Sequence, residues 1–309
     1  MVGGFAAALT GGPLVLDGGL SNELEAGGHD LSDRLWSARL LMEGPEAIVA
    51  AHRAYFEAGA EVAITSSYQA SFEGFALRGV GRATAERLLG LSVELARQAA
   101  EEADAEGPGG RRLWVAASVG PYGAVLADGS EYRGRYGLSE VELERFHRPR
   151  LEALVAAGPD VLAVETVPDT DEARAVLRAL HGLGVPAWLS YSVADGRTRA
   201  GQPLAEAFAL AADADEVVAV GVNCCTPADA DAAVAVASAA GGKPVVVYPN
   251  SGERWDAGAR AWVGGRTFRA DRVRGWVADG ARLVGGCCRV GPAEIAELAG
   301  IVRGRPPTG

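Results

Sequence analysis

Cysteine is scarce in this chain: four residues in 309, arranged as two adjacent pairs, Cys224-Cys225 and Cys287-Cys288. Histidine is equally scarce, and none of His29, His52, His147 and His181 has metal-ligand spacing with the cysteines. No apolar run reaches the ~20 residues of a membrane span. The N-terminus lacks a basic start, and Phe5-Ala6-Ala7-Ala8-Leu9 is too short for the apolar core of a secretory signal. A reducing cytoplasm is therefore the expected location, and a disulfide framework is not expected there. Positive charge is the minority sign, with 29 Lys and Arg against 40 Asp and Glu. That balance argues against a nucleic-acid partner and mildly favours cationic ligands. No Gly-x-Gly-x-x-Gly follows the first apolar run, which weakens a dinucleotide-binding reading.

What is present is a regular alternation of short apolar runs with helical patterns. Strands are predicted at 14–16, 62–65, 113–118, 161–164, 187–191, 217–222, 245–248 and 282–284. Helices are predicted at 46–58, 82–102, 169–180, 204–213, 226–240, 269–279 and 292–302, and another starts after Ser139, with Glu142 completing a capping box. Residues 20–43 read as irregular, with some helix possible, and 120–137 as a long loop. Eight strand–helix units in a chain of this length match an α/β (β/α)8 barrel, one domain over 1–309. The runs are continuously apolar, as parallel strands covered on both faces require. A doubly wound open sheet is the alternative.

The barrel gives the polar residues a shared address. Function in such folds sits where strands end and loops to helices begin. Asp17, Thr65, Ser118, Glu165, Asn223, Cys224, Tyr248, Asn250, Cys287 and Cys288 all fall there. Both cysteine pairs land on one rim, after strands six and eight. Strand seven lies between them, so at about 4.8 Å per strand they need loops curving toward the axis to meet. A buried cysteine can serve simply as a small apolar residue. The common address favours a thiolate metal site instead. Three thiolates suit zinc and leave a fourth position open.

The chain also resembles the homocysteine S-methyltransferase family over nearly its whole length. The resemblance is carried by Leu16-Asp17-Gly18-Gly19, Ser67-Tyr68-Gln69-Ala70, Ser118-Val119-Gly120-Pro121-Tyr122-Gly123, Asp128-Gly129-Ser130-Glu131-Tyr132, Phe146-His147-Arg148-Pro149-Arg150, Glu165-Thr166, Gly221-Val222-Asn223-Cys224, Tyr248-Pro249-Asn250-Ser251-Gly252-Glu253 and Gly285-Gly286-Cys287-Cys288. It is closest to the branch that uses S-methylmethionine or S-adenosylmethionine. The resemblance implies a zinc-containing (β/α)8 barrel with zinc on Cys224, Cys287 and Cys288, and homocysteine as methyl acceptor. Cys225 lies outside the family pattern. Gln69 stands where related betaine-using enzymes carry a tyrosine that fills the vacant fourth position.

Substrate contacts can be assigned by charge. An ammonium calls for carboxylates, and Asp17 and Glu165 are the strand-end candidates; the resemblance points to the same two. Gly18 and Gly19 could offer backbone N–H groups to a carboxylate. Asn223 could orient substrate or the neighbouring Cys224. Trp36, where a related branch places a tryptophan near its donor, and Tyr68 or Tyr122 could face a sulfonium through cation–π contact. His147 reads as structural. A betaine donor or a selenol acceptor is the alternative within the family; a zinc hydrolase or a thiol redox sensor is the alternative outside it.

Overall fold

Side chains alternate along each strand between a helix-covered face and the inside of a closed sheet, and that parity places the site. The computed structural model describes residues 3–31, 35–106, 111–256 and 261–304. The sheet strands are β1 (Leu14–Val15), β2 (Val62–Ile64), β3 (Trp114–Val119), β4 (Val161–Val167), β5 (Ala187–Tyr191), β6 (Val217–Asn223), β7 (Val245–Tyr248) and β8 (Ala281–Val284). They form one eight-stranded sheet whose neighbouring strands all run parallel. β1 meets β2 through the parallel bridge Leu16 to Val62, which closes the barrel.

The eight main connecting helices are α1 (Pro45–Ala58), α2 (Arg82–Glu106), α3 (Glu140–Ala156), α4 (Thr170–Leu180), α5 (Leu204–Ala209), α6 (Pro227–Gly241), α7 (Val273–Ala278) and α8 (Pro292–Val302). The Ser139–Glu142 capping box starts α3. Two of the predicted helices are shorter than their pattern. Helix α5 stops at Ala209, before the Asp-rich turn, and the 269–279 segment begins with a one-turn 3-10 helix, Ala270–Arg272. The stretch read as a loop at 120–137 contains a short helix, Tyr122–Leu126, and a 3-10 turn, Ser130–Tyr132. No helix among the described residues is long and apolar enough to cross a membrane.

Two apolar layers result. The outer one lies between sheet and helices. The inner one fills the barrel with Leu16, Val62, Trp114, Ala116, Val161, Ala163, Trp188, Ala219, Val246, Tyr248 and Leu283. The N-terminal stretch is not inert. It forms a helix, Gly3–Gly11, whose Phe5 and Leu9, one turn apart, join the inner layer. The Phe5 ring meets Trp114 edge-on at 5.3 Å and Trp188 at 6.3 Å. This helix plugs one end of the barrel, so the opposite rim is where polar groups gather.

Candidate metal centre and substrate site

Counting on by two from the inner layer reaches the upper rim, where the residue type turns polar. Ala116 leads to Ser118, Ala163 to Glu165, Trp188 to Ser190 and Val246 to Tyr248. These groups bond to one another. Ser118 Oγ donates to Glu165 Oε1, and the Tyr248 hydroxyl donates to Glu165 Oε2 at 3.0 Å. Ser190 Oγ donates to Asn223 Oδ1 at 2.8 Å and lies 2.9 Å from the Tyr248 hydroxyl.

Three of the four cysteines converge above this ring. The sulfurs of Cys224, Cys287 and Cys288 all lie within 4.8 Å of one another, Cys224 to Cys288 being 3.8 Å and Cys287 to Cys288 3.9 Å. The gap left by β7 is bridged by the backbone that follows it. Cys224 N donates to Tyr248 O, and Cys287 N to Pro249 O at 2.8 Å. Asn250 N donates to Cys225 O at 2.9 Å, while Asn250 Oδ1 accepts from Cys288 N at 3.2 Å. Pro249-Asn250 therefore stitches both cysteine loops together. Cys224 sits in the left-handed region, φ 49°, which turns its side chain away from the strand's alternation. Glycine is obligatory three residues earlier, inside β6: a Cβ on Gly221 would lie 1.8 Å from the Val246 carbonyl. Cys225 takes the other face. It is buried in the outer apolar layer, and burial pushes its thiol upward.

The three sulfurs interact strongly. Hydrogen bonds from Cys287 and Cys288 draw the Cys224 thiol well below its usual range, and the resulting interaction holds the other two high. One thiolate shared among three sulfurs is a site poised to receive a cation.

Glu165 and Glu131 interact with Cys224, and Asp17 with Glu165. Asp17 is 1% exposed; Ile64 N donates to its Oδ2 at 2.8 Å, and its Oδ1 has no partner among the described residues. Burial raises the Asp17 carboxyl well above the usual range, against the Ile64 bond, and Glu165 adds to the rise. Glu165 is pushed up to about 7, chiefly by burial. Glu131 is also pushed to about 7 by burial, with Cys224 contributing, and its Oε2 is buried without a partner among the described residues. The Tyr132 hydroxyl lies 3.1 Å from Cys224 Sγ. Tyr68 has a buried phenol that bonds the Thr166 side chain and interacts with Glu131 and Cys224.

Other expected residues take different parts. Asn223 is wholly buried: its Oδ1 accepts from Thr166 N at 2.7 Å, and its Nδ2 donates to Thr166 Oγ1 at 2.8 Å. These bonds tie the residue before Cys224 to Thr166 after β4. Of the two glycine N–H groups expected to face a substrate carboxylate, that of Gly19 is already donated to Val290 O at 2.9 Å. Gly18 serves close packing, since a Cβ there would lie 2.2 Å from that same carbonyl. Trp36 opens a one-turn 3-10 helix, Trp36–Arg39, and its side chain lies outside what is described. The sequence places Tyr248 at a strand end on the functional rim and Glu131 and Tyr132 within a family-like stretch, but gives none of the three a role; their approach to Glu165 and Cys224 is set by the tertiary structure.

A profile of the family described as homocysteine S-methyltransferase matches residues 14–302. This chain belongs to that family. Homocysteine S-methyltransferase YbgG of Bacillus subtilis is 45% identical over 297 residues, 94% of each chain. The Escherichia coli homocysteine S-methyltransferase is 48% identical, covering 92% of this chain and 94% of its own. Among solved structures, the metallated form of the Escherichia coli homocysteine methyltransferase MmuM superposes with a TM-score of 0.85 at 46% identity, covering 94% of this chain and 96% of that one. Its apo form gives 0.76 at 40% identity, covering 93% and 94%.

Proposed function

We propose that this protein transfers a methyl group from a sulfonium donor, S-methylmethionine or S-adenosylmethionine, to homocysteine, giving methionine, with zinc held by Cys224, Cys287 and Cys288. The observation that carries the reading is the convergence of three sulfurs on the rim that also holds Asp17, whose buried Oδ1 has no partner among the described residues. Zinc–sulfur distances near 2.3 Å in a tetrahedron require sulfurs roughly 3.8 Å apart, and two of the pairs here stand at 3.8 and 3.9 Å. When bound, zinc deprotonates an incoming thiol and leaves it nucleophilic.

The chain's own residues account for the rest. Asp17 and Glu165 offer negative charge to the homocysteine ammonium, and that ammonium relieves the cost of burying both. Asn223 and Thr166 hold the Cys224 turn. Glu131, Tyr68 and the sulfurs make the mouth anionic and aromatic, which suits a cationic donor. In the transfer, the donor's S–CH3 bond breaks as the acceptor sulfur's new S–CH3 bond forms. The donor leaves as a neutral thioether, and the acceptor's thiol proton has already gone to solvent. Alignment of sulfur and methyl carbon is then the main demand on the protein.

The test is incubation of zinc-loaded enzyme with homocysteine and each sulfonium in turn, with methionine measured by mass spectrometry. Methionine formed with kcat/KM highest for one of the two sulfoniums is expected. Zinc-loaded protein that forms none from either would reject the function.

A further inference from the structure

The stretch Phe146-His147-Arg148-Pro149-Arg150 lies on outer helix α3, away from the cysteines, yet it reaches the rim. Arg150 is 0% exposed. Its Nη1 donates to Gly120 O at 3.0 Å and its Nη2 to Tyr68 O at 3.1 Å. Among the described residues no carboxylate pairs with it and its Nε has no partner. The Phe146 ring lies 5.4 Å away. Burying a guanidinium without a direct counter-ion is expensive, and burial lowers the Arg150 pKa to about 10. An apolar side chain would fill the space at less cost. What only a planar cation with two forked donors can do is fix two carbonyls at a set separation.

Those carbonyls belong to two different rim loops, Tyr68 after β2 and Gly120 after β3. The loops touch: a Cβ on Gly120 would lie 2.6 Å from Tyr68 O and 2.8 Å from two of its ring carbons. The far end of the Tyr68 side chain bonds Thr166, whose N–H and hydroxyl are held by Asn223, the residue before Cys224. A continuous set of contacts thus runs from α3 to the sulfur cluster through Tyr68. Neither the cysteines nor Asp17 nor Glu165 takes a hydrogen bond from Arg150.

We infer that Arg150 is a positioning residue for methyl transfer, clamping the Tyr68 and Gly120 loops so that Tyr68 is set against the sulfur cluster on the donor's side. The inference rests on the function proposed above. It separates two halves of the reaction. Metal retention and homocysteine capture are independent of Arg150; alignment of the donor depends on it.

The experiment compares zinc-loaded wild type with Arg150→Lys and Gly120→Ala. Lysine keeps the charge but presents one ammonium that cannot bridge both carbonyls. Gly120→Ala pushes on the same contact from the other side and removes no buried charge, so it decides the matter if Arg150→Lys fails to fold. For both variants, zinc content and homocysteine Kd within about twofold of wild type are expected, with kcat/KM for the sulfonium donor down about 10- to 100-fold, the scale of a misplacement near 1 Å. Adding Tyr68→Phe to Arg150→Lys is expected to cost less than a further twofold. Donor kcat/KM within twofold of wild type overturns the inference. So does parallel loss of zinc, homocysteine affinity and donor rate, which marks Arg150 as merely structural. A zinc-loaded wild type forming no methionine rejects the function and this inference together; an active wild type with insensitive variants rejects the inference alone.

Discussion

The hydroxyl of Tyr132 sits 3.1 Å from the Sγ of Cys224 although the two residues are 92 positions apart. Tyr132 ends a 3-10 turn, Ser130–Tyr132, which carries it over the sulfur cluster, and the Arg199 guanidinium lies 5.4 Å from its ring centre. A hydrogen bond to a charged sulfur is worth about 1.5–3 kcal/mol. Tyr132→Phe is therefore expected to keep its zinc while kcat/KM for homocysteine drops about 10- to 100-fold. Steady-state kinetics at fixed donor reads this directly; an unchanged value would remove Tyr132 from the site.

The four cysteines divide three to one. Cys224→Ala, Cys287→Ala and Cys288→Ala are each expected to lose zinc and methyl transfer. Cys225→Ala is expected to retain both, because its side chain belongs to the outer apolar layer. Zinc stoichiometry by atomic absorption on the four purified variants decides it. A fully metallated, active Cys288→Ala protein would rule out the proposed ligand set.

Glu165 links function to stability with opposite signs. Its folded-state pKa of about 7 stands above its ordinary 4.5. Folding therefore favours the protonated carboxyl, and stability falls as pH rises from about 4.5 through about 7. The loss at pH 8 is on the order of 3 kcal/mol. Glu165→Gln removes that penalty and also a charge offered to the substrate ammonium. It is expected to melt higher than wild type at pH 8, with the difference vanishing near pH 4.5. Its homocysteine affinity is expected to be at least tenfold weaker, with zinc content unchanged. Scanning calorimetry and titration calorimetry on one preparation test both halves; unaltered homocysteine affinity would end the assignment.

His52, on α1, is wholly buried, and neither ring nitrogen has a partner among the described residues. Burial lowers its pKa from 6.5 to about 4. For a base held neutral in the fold, stability is lost as pH falls from about 6.5 through about 4. His52→Leu, of similar size and without polar atoms, is expected to be more stable by about 1–3 kcal/mol at pH 8. The gain is expected to widen at pH 5. Urea denaturation at the two pH values measures it; a variant less stable than wild type at pH 5 would show that His52 has a bonding partner.

Much of this was legible in the chain itself. Continuous apolar runs separated by helical patterns indicate parallel strands under helices, and eight of them match the barrel over an open doubly wound sheet, which the Leu16–Val62 bridge then decides. Strand parity is local, so the polar residues at strand ends, Glu165 and both cysteine pairs among them, could be assigned to one rim without coordinates. The helix that plugs the floor was not legible, because Phe5 and Leu9 gain meaning only from Trp114 and Trp188 across the barrel.

The tertiary structure alone decided how sulfur meets sulfur. One strand, β7, separates the cysteine loops, and the hydrogen bonds of Pro249-Asn250 to both sides bring them within reach. It also decided that Cys224 rather than Cys225 faces the cluster, since a left-handed turn held by Asn223 and Tyr248 chooses between adjacent, chemically identical thiols. The Asp17 oxygen without a partner among the described residues and Tyr132's approach are of the same kind. Backbone periodicity sets which face a strand residue takes; the path of a loop is set by partners far away in sequence.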